Sequence, residues 1–308
     1  MQKFTLIGCG SWGTAIACLI ARAQGEVLVY SMEPDVVDEI NNQHTNSKYL
    51  GDAKLPTGLR ATSQIEELIN TEILVIAAPS YAFSDVLEQL KELNIPKETT
   101  ILIATKGLCE DPVELFSTKI ERELTNMYAF LSGPNFAREV ADNKFTGIVI
   151  SSKDLSCANK IANLLKTDTV LTDVSNDIIT VQIASIVKNI AAIKSGIFQA
   201  QGYGENARAW LISKALEEIA TITKVLGGDA SSLPLPSIVG DLVLTCYSDS
   251  SRNTKFGYEF QKNAYSKEFL ANYPALVEGA RNAKLLQEFV SKYNLDLPIT
   301  SSIADLLK

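Results

Sequence analysis

A chain of 308 residues, 46% hydrophobic and 21% charged, has an ordinary globular composition and is long enough for about two domains with cores of their own. Its net charge of -8 excludes nucleic acid and anionic membrane surfaces as natural partners, since no cluster of Lys and Arg offsets it. No uninterrupted apolar run reaches the ~18 residues of a membrane span, the N-terminus enters a strand directly, and five scattered cysteines form no CxxC pair. These features predict a cytoplasmic protein with reduced thiols, no disulfide framework, no bound metal and no membrane span.

The first apolar run, FTLIG at 4–8, predicts a buried strand. It enters the turn GCGSWG and then a helix, GTAIACLIARA, from Gly13. Gly8, Gly10 and Gly13 thus stand in G-x-G-x-x-G spacing between a strand and a helix, the context of a dinucleotide-binding loop. The first glycine permits the tight turn, the second lets backbone approach a pyrophosphate, and the third allows the helix to pack closely on the strand. Free N–H groups at the helix N-terminus suit the anion. Further strands are predicted at 27–30, 73–78, 100–104, 128–131, 147–151 and 169–172, with helical patterns such as YAFSDVLEQLKEL and LSCANKIANLLK between them. This alternation predicts an α/β fold: an N-terminal Rossmann-like doubly wound sheet, covered on both faces. The second strand ends in Tyr30, Ser31, Met32 and Glu33, which leaves the choice between NAD and NADP open.

Two loops that follow strands, and one polar stretch, carry chemistry-bearing residues. ATKG places Lys106 after the 100–104 strand, where open α/β sheets bind ligands, although a plain loop lysine reads the same way. SGPNF follows the 128–131 strand with Gly133 and Asn135, and reads either as a ligand loop or as a capped helix start. His44, the only histidine, lies in a polar stretch and reads as a surface-loop residue.

From Asn176 the texture becomes helical, so the domains are expected to be 1–175 and an all-helical 176–308. The segment 178–200 carries Ile179, Ile183, Ile186, Ile190, Ile193 and Ile197 as one stripe. Lys188 lies opposite it, among Val181, Ala184, Ser185, Ala191, Ala192 and Ser195, which predicts a closely packed face that must tolerate an ammonium. Farther on, Asp241 opens GDLVLTC, and SSRN offers the hydroxyl of Ser251, the fork of Arg252 and the amide of Asn253. That set suits a phosphate, and equally a polar surface loop.

Taken in order, GCGSWGTA, ATKG, SGPNFAREV, VKNIAAIKSG, GDLVLTC with SSRN, VEG at 277–279 and LPITSSIADLL resemble NAD(P)-dependent glycerol-3-phosphate dehydrogenase of the soluble bacterial type over nearly the whole chain. The resemblance implies reversible reduction of dihydroxyacetone phosphate, a small phosphorylated three-carbon substrate, by NADH or NADPH, serving glycerophospholipid synthesis in a homodimer. It implies Lys188 as proton donor and acceptor, assisted by Asp241 and Lys106. Gly8, Gly10, Ser11, Trp12, Gly13, Ala137, Leu276 and Glu278 match cofactor contacts, and Lys106 and Arg252 match positions touching both cofactor and substrate. Gly133, Asn135, Asp241, Ser251 and Asn253 match the substrate site. Met32 stands where many relatives carry Arg or His, Asn135 replaces a usual Ser or Thr, and PLPSIVGDL lacks the glycines that relatives place before GDL. The sheet-plus-helices plan also suits a β-hydroxyacid or ketopantoate reductase, or a non-catalytic dinucleotide sensor.

Overall fold

The computed structural model describes residues 2–308. Ten strands occur among them: β1 Gln2–Ile7, β2 Val27–Tyr30, β3 Leu59–Thr62, β4 Thr71–Ile76, β5 Thr100–Ile103, β6 Cys109–Glu110, β7 Val113–Glu114, β8 Tyr128–Ser132, β9 Thr146–Ser151 and β10 Val170–Ser175. Eight of them form one sheet in the order β10-β9-β8-β5-β4-β1-β2-β3. The order reverses beside β1, so the glycine loop leaves the sheet where doubly wound folds open a crevice.

Every pairing in this sheet is parallel except β8 with β9. That one joint is antiparallel because the connection between them carries only a five-residue helix, Ala137–Ala141, too short for a crossover back to the starting edge. β3 is a strand that apolar runs do not reveal. Its sequence LRAT holds one large aliphatic, and it pairs only with β2, at the sheet's edge.

Helix Ser11–Gln24 is buried continuously from Gly13 to Ala21. It packs on β1, β2 and β3, and also against helices Ala137–Ala141 and Leu155–Leu165. A helix enclosed this way cannot be amphipathic, which explains its run of small and aliphatic residues.

The chain clusters into two compact units, one running up to Thr105 and resuming over Phe116–Ile178, the other made of Lys106–Leu115 with Ile179–Lys308. The second unit is helical apart from the β6–β7 hairpin. Its axis is helix Ile178–Ala200, where Ile183, Ile186, Ile190 and Ile193 are fully buried, each such side chain contributing about 1.5–3 kcal/mol of burial. By length and mean hydropathy (1.3) alone this helix is apolar enough to cross a membrane, although Gln182, Lys188 and Lys194 interrupt it. Yet 89% of the window is buried inside the protein, so other helices cover it.

Candidate active site

In the first unit the glycine turn has the geometry its sequence requires. Gly8 adopts φ +113°, and a Cβ there would lie 2.8 Å from the Ala77 carbonyl oxygen. A Cβ on Gly13 would overlap the Gly8 carbonyl oxygen, whereas one on Gly10 would meet nothing within 4 Å. So the outer glycines are needed by the protein itself, and the middle one leaves space above the helix N-terminus. Helix Ser11–Gln24 starts there with no acidic residue in its first turn and no side-chain cap on Gly10, leaving N–H donors for an anion. These residues therefore fit a dinucleotide pyrophosphate. Gly13→Ala is expected to cost about 1–3 kcal/mol through overpacking, read as a lowered Tm in thermal unfolding, and an unchanged Tm would show that the turn yields freely.

The side chains around the turn are tied in. Ser11 Oγ donates to the Tyr49 carbonyl at 2.8 Å, and Trp12 Nε1 donates to the Ala104 carbonyl at 3.1 Å, just past β5. Ala137 begins its short helix and packs with Trp12 on the sheet core. Gly133 follows β8 directly, close to the Gly147 carbonyl. Asn135 Nδ2 donates to Thr146 Oγ1 at 2.5 Å and to the Gly147 carbonyl at 2.9 Å, while its buried Oδ1 has no partner. His44, expected as a surface-loop residue, instead caps helix Pro34–Gln43 in a left-handed conformation, half-buried, its backbone N–H donating to the Ile40 carbonyl.

In the second unit Lys188 is 7% exposed and Asp241 2%. Lys188 Nζ donates to Asp241 Oδ1 at 2.7 Å and to Thr245 Oγ1 at 3.2 Å. Lys106 Nζ donates to the other carboxylate oxygen, Oδ2, at 2.9 Å. Thr245 turns its own proton to the Asp241 carbonyl at 2.6 Å, which frees a lone pair for the lysine. An ammonium has three donors; two of Lys188's are engaged here, leaving one for a ligand oxygen.

The electrostatics follow from burial and count. Burial pulls the Lys188 pKa down to about 8, Asp241 opposes this, and the second ammonium of Lys106 adds to it. Burial alone would raise the Asp241 pKa, but Lys106 and Lys188 outweigh it and hold the carboxyl below its usual value. One carboxylate between two ammoniums leaves a net positive charge in a nearly dry place. That charge suits an oxygen on which negative charge develops.

The SSRN donors are less available than their residue types suggest. Ser251 caps helix Arg252–Lys262, its Oγ accepting from Thr254 N–H at 3.2 Å. Asn253 Nδ2 donates to Asn189 Oδ1 at 2.9 Å, and its Oδ1 accepts from Gly279 N–H at 3.0 Å. Asn253 thereby joins the turn after Lys188 to the start of helix Glu278–Val290, which Glu278 opens. Arg252 alone of the three is exposed, and with Leu276 and Val277 it lines a cavity of about 710 Å³. Sequence reasoning missed Thr245 and Asn189. Thr245 lies one helical turn after Asp241, a spacing that could have revealed it, whereas Asn189 has no signal beyond its place beside Lys188.

Two family models match the chain: the NAD-dependent glycerol-3-phosphate dehydrogenase N-terminus over residues 3–158 and its C-terminus over 177–308. A glycerol-3-phosphate dehydrogenase [NAD(P)+] of Rickettsia typhi is 46% identical, over 100% of this chain and 98% of that one. The solved structure of a glycerol-3-phosphate dehydrogenase from Coxiella burnetii superposes with a TM-score of 0.93 at 32% identity, covering 99% of this chain and 94% of that one. A ketopantoate reductase from Ralstonia eutropha, with a TM-score of 0.63 at 15% identity over 99% and 97%, shares the fold alone.

Proposed function

The chain belongs to the NAD-dependent glycerol-3-phosphate dehydrogenase family, and from that premise we propose how its own residues carry out the reaction. Dehydrogenation of glycerol 3-phosphate at its central carbon removes a hydride and the hydroxyl proton and leaves dihydroxyacetone phosphate; reduction runs the same steps backwards. The nicotinamide cofactor, when bound, supplies or accepts the hydride.

Residues 1–175 bind the dinucleotide in this reading, with Gly8, Gly10 and Gly13 at the pyrophosphate and Ser11, Trp12 and Ala137 beside it. Residues 176–308, joined by Lys106, carry the proton chemistry. Lys188 delivers a proton to the developing alkoxide in reduction and takes it back in oxidation. A group with a pKa near 8 suits both directions at neutral pH. Asp241 orients the ammonium and keeps Lys106 beside it, so that the second positive charge polarises the same oxygen. Asn135 Oδ1, buried and unpartnered, is suited to accept from a substrate hydroxyl. Ser251 and Asn253 act by holding the start of the Arg252 helix, and Arg252 meets the phosphate together with free N–H groups of that helix. Leu276 and Glu278 complete the wall beyond Arg252.

The observation that carries this reading is the Lys188–Asp241–Lys106 cluster, two ammoniums on one buried carboxylate. Steady-state oxidation of NADH and NADPH with dihydroxyacetone phosphate, run beside an unphosphorylated ketoacid, tests it. Turnover of the ketoacid alone would replace it with a hydroxyacid-type reductase, and nucleotide binding without turnover of either would favour a sensor. Arg252→Ala is expected to raise KM for the triose phosphate about 100-fold, as for loss of a charge-assisted contact, with a smaller change in kcat; an unchanged KM would remove Arg252 from the phosphate. We further propose a cytoplasmic homodimer feeding glycerol 3-phosphate to glycerolipid synthesis, a location in keeping with the lack of any disulfide among the described residues.

A further inference from the structure

We infer that Arg208 is a positioning residue for the proton transfer: with Ser195 it fixes the helix that carries Asp241 against the helix that carries Lys188, through a contact that persists when Lys188 gives up its proton. The inference rests on Lys188 as the proton donor and adds what holds its partner in register.

Lys188 lies in helix Ile178–Ala200, and Asp241 opens helix Asp241–Tyr247. The ion pair, with Thr245, is one contact between them. A second lies farther along. Ser195 follows Lys188 on the same face about two turns later, and its Oγ donates to the Cys246 carbonyl at 2.7 Å. Arg208 closes this contact from a third helix, Glu205–Leu226. Its Nε donates to the same Ser195 Oγ at 3.0 Å and its Nη2 to the same Cys246 carbonyl at 2.5 Å, while the guanidinium lies over the Tyr247 ring, 4.5 Å from its centre. Ser195, Cys246 and Arg208 are all buried.

A guanidinium buried against neutral acceptors is costly to keep, and no carboxylate pairs with Arg208 among the described residues. In its own helix it stands in the first turn, the end at which a positive charge is disfavoured. At the last turn of helix Asp241–Tyr247, whose carbonyls lack helical partners, the same charge is favoured. The side chain therefore serves the second helix rather than its own.

The ion pair cannot hold that register alone through a turnover, because it weakens whenever Lys188 becomes neutral. A guanidinium stays charged at every working pH, and neither a serine hydroxyl nor a carbonyl titrates there, so the Arg208–Ser195–Cys246 contact outlasts the step. Thr254 Oγ1, donating to the Thr245 carbonyl at 2.8 Å, steadies the same turn from helix Arg252–Lys262. Arg208 acts by geometry rather than by its field: the charges that set the proton affinity of Lys188 are those of Asp241 and Lys106.

Arg208→Met is expected to lower kcat for ketone reduction about 10- to 100-fold, the range that follows misplacement of a reacting group by up to about 1 Å. KM for the triose phosphate and affinity for NADH should stay within about twofold of wild type, since the side chain touches neither in this reading. The alkaline decline of ketone reduction should move to lower pH, because a displaced Asp241 supports the ammonium less; loss of packing alone would lower Tm without moving that profile. In a Lys188→Met background, Arg208→Met should lower kcat no further, as for two residues acting through one step. Ser195→Ala leaves the charge in place, should shift kcat and the pH profile in the same direction by less, and carries the test if Arg208→Met does not fold. Wild-type kcat and pH profile in a folded Arg208→Met, or in Ser195→Ala where that variant carries the test, would overturn the inference. So would an Arg208→Met effect that multiplies with that of Lys188→Met. Near-normal turnover in Lys188→Met alone would overturn the proton-transfer premise, and this inference with it.

Discussion

Lys188→Met is expected to lower kcat by about 10²–10⁴ in both directions, the loss that follows removal of a positioned proton donor, while folding and nucleotide affinity persist. Stability is preserved for a specific reason. Methionine keeps the unbranched stem in its closely packed place, and Asp241 is not orphaned, because Lys106 still donates to it at 2.9 Å. Loss of a buried ammonium also removes a desolvation cost. The wild-type pH profile supplies a second reading of the same group. With the Lys188 pKa pulled down to about 8 by burial, ketone reduction needs the protonated form and should decline as pH rises through about 8. Alcohol oxidation needs the neutral form and should rise through the same range. Both limbs should vanish from the residual activity of the variant. Near-normal turnover in Lys188→Met would pass proton transfer to Lys106, the other ammonium on the same carboxylate.

The puzzle of Lys188 is legible in the sequence, because a lysine among alanines and serines opposite an isoleucine stripe has no solvent face to occupy. Its two carboxylate-sharing companions were harder to see. Lys106 and Asp241 are 135 residues apart in the chain yet meet at 2.9 Å, and spacing alone says nothing about such a meeting. The glycine turn could be read almost atom by atom, since a close approach of backbone to backbone can be made by glycine and by nothing larger. The SSRN donors show the opposite case. Residue types announce what a group can bind, not whether it is already bound, and Asn253 is occupied by Asn189 and Gly279, partners 64 and 26 residues away. β3 and the antiparallel joint at β8–β9 were hidden for a related reason. Edge strands need little hydrophobicity, and strand direction is decided by the length and path of a connection rather than by the strand's own residues.

Asp241→Asn is the more disruptive change, because it leaves two ammoniums without their shared counter-charge. An amide offers one oxygen where the carboxylate offers two, so either Lys188 or Lys106 must face an N–H donor. Breaking a buried ion pair from one side costs about 3–5 kcal/mol, enough to lower Tm by roughly 10 °C in a protein of this size. The structure can relieve part of that cost by releasing the proton of Lys188, whose pKa then moves below its wild-type value of about 8. Two pH signatures follow. For a base whose folded pKa lies below its unfolded value, the unfolded chain binds more protons between the two, so stability rises with pH across that window. The stability deficit of Asp241→Asn should therefore be greatest under mildly acidic conditions, where Lys188 is charged in both states, and should shrink as pH rises. In wild type the carboxylate has the converse effect: its pKa is lowered on folding, so its contribution is complete above the ordinary carboxylate range and is lost as pH falls through the lowered value. Catalysis should move the same way as the lysine, with the alkaline decline of ketone reduction displaced to lower pH in the variant and part of the rate recovered on acidification. A variant that unfolds at the wild-type temperature and keeps the wild-type profile would mean that Asp241 neither balances the two lysines nor sets the proton affinity of Lys188, and the proton-transfer role would then need another source of control.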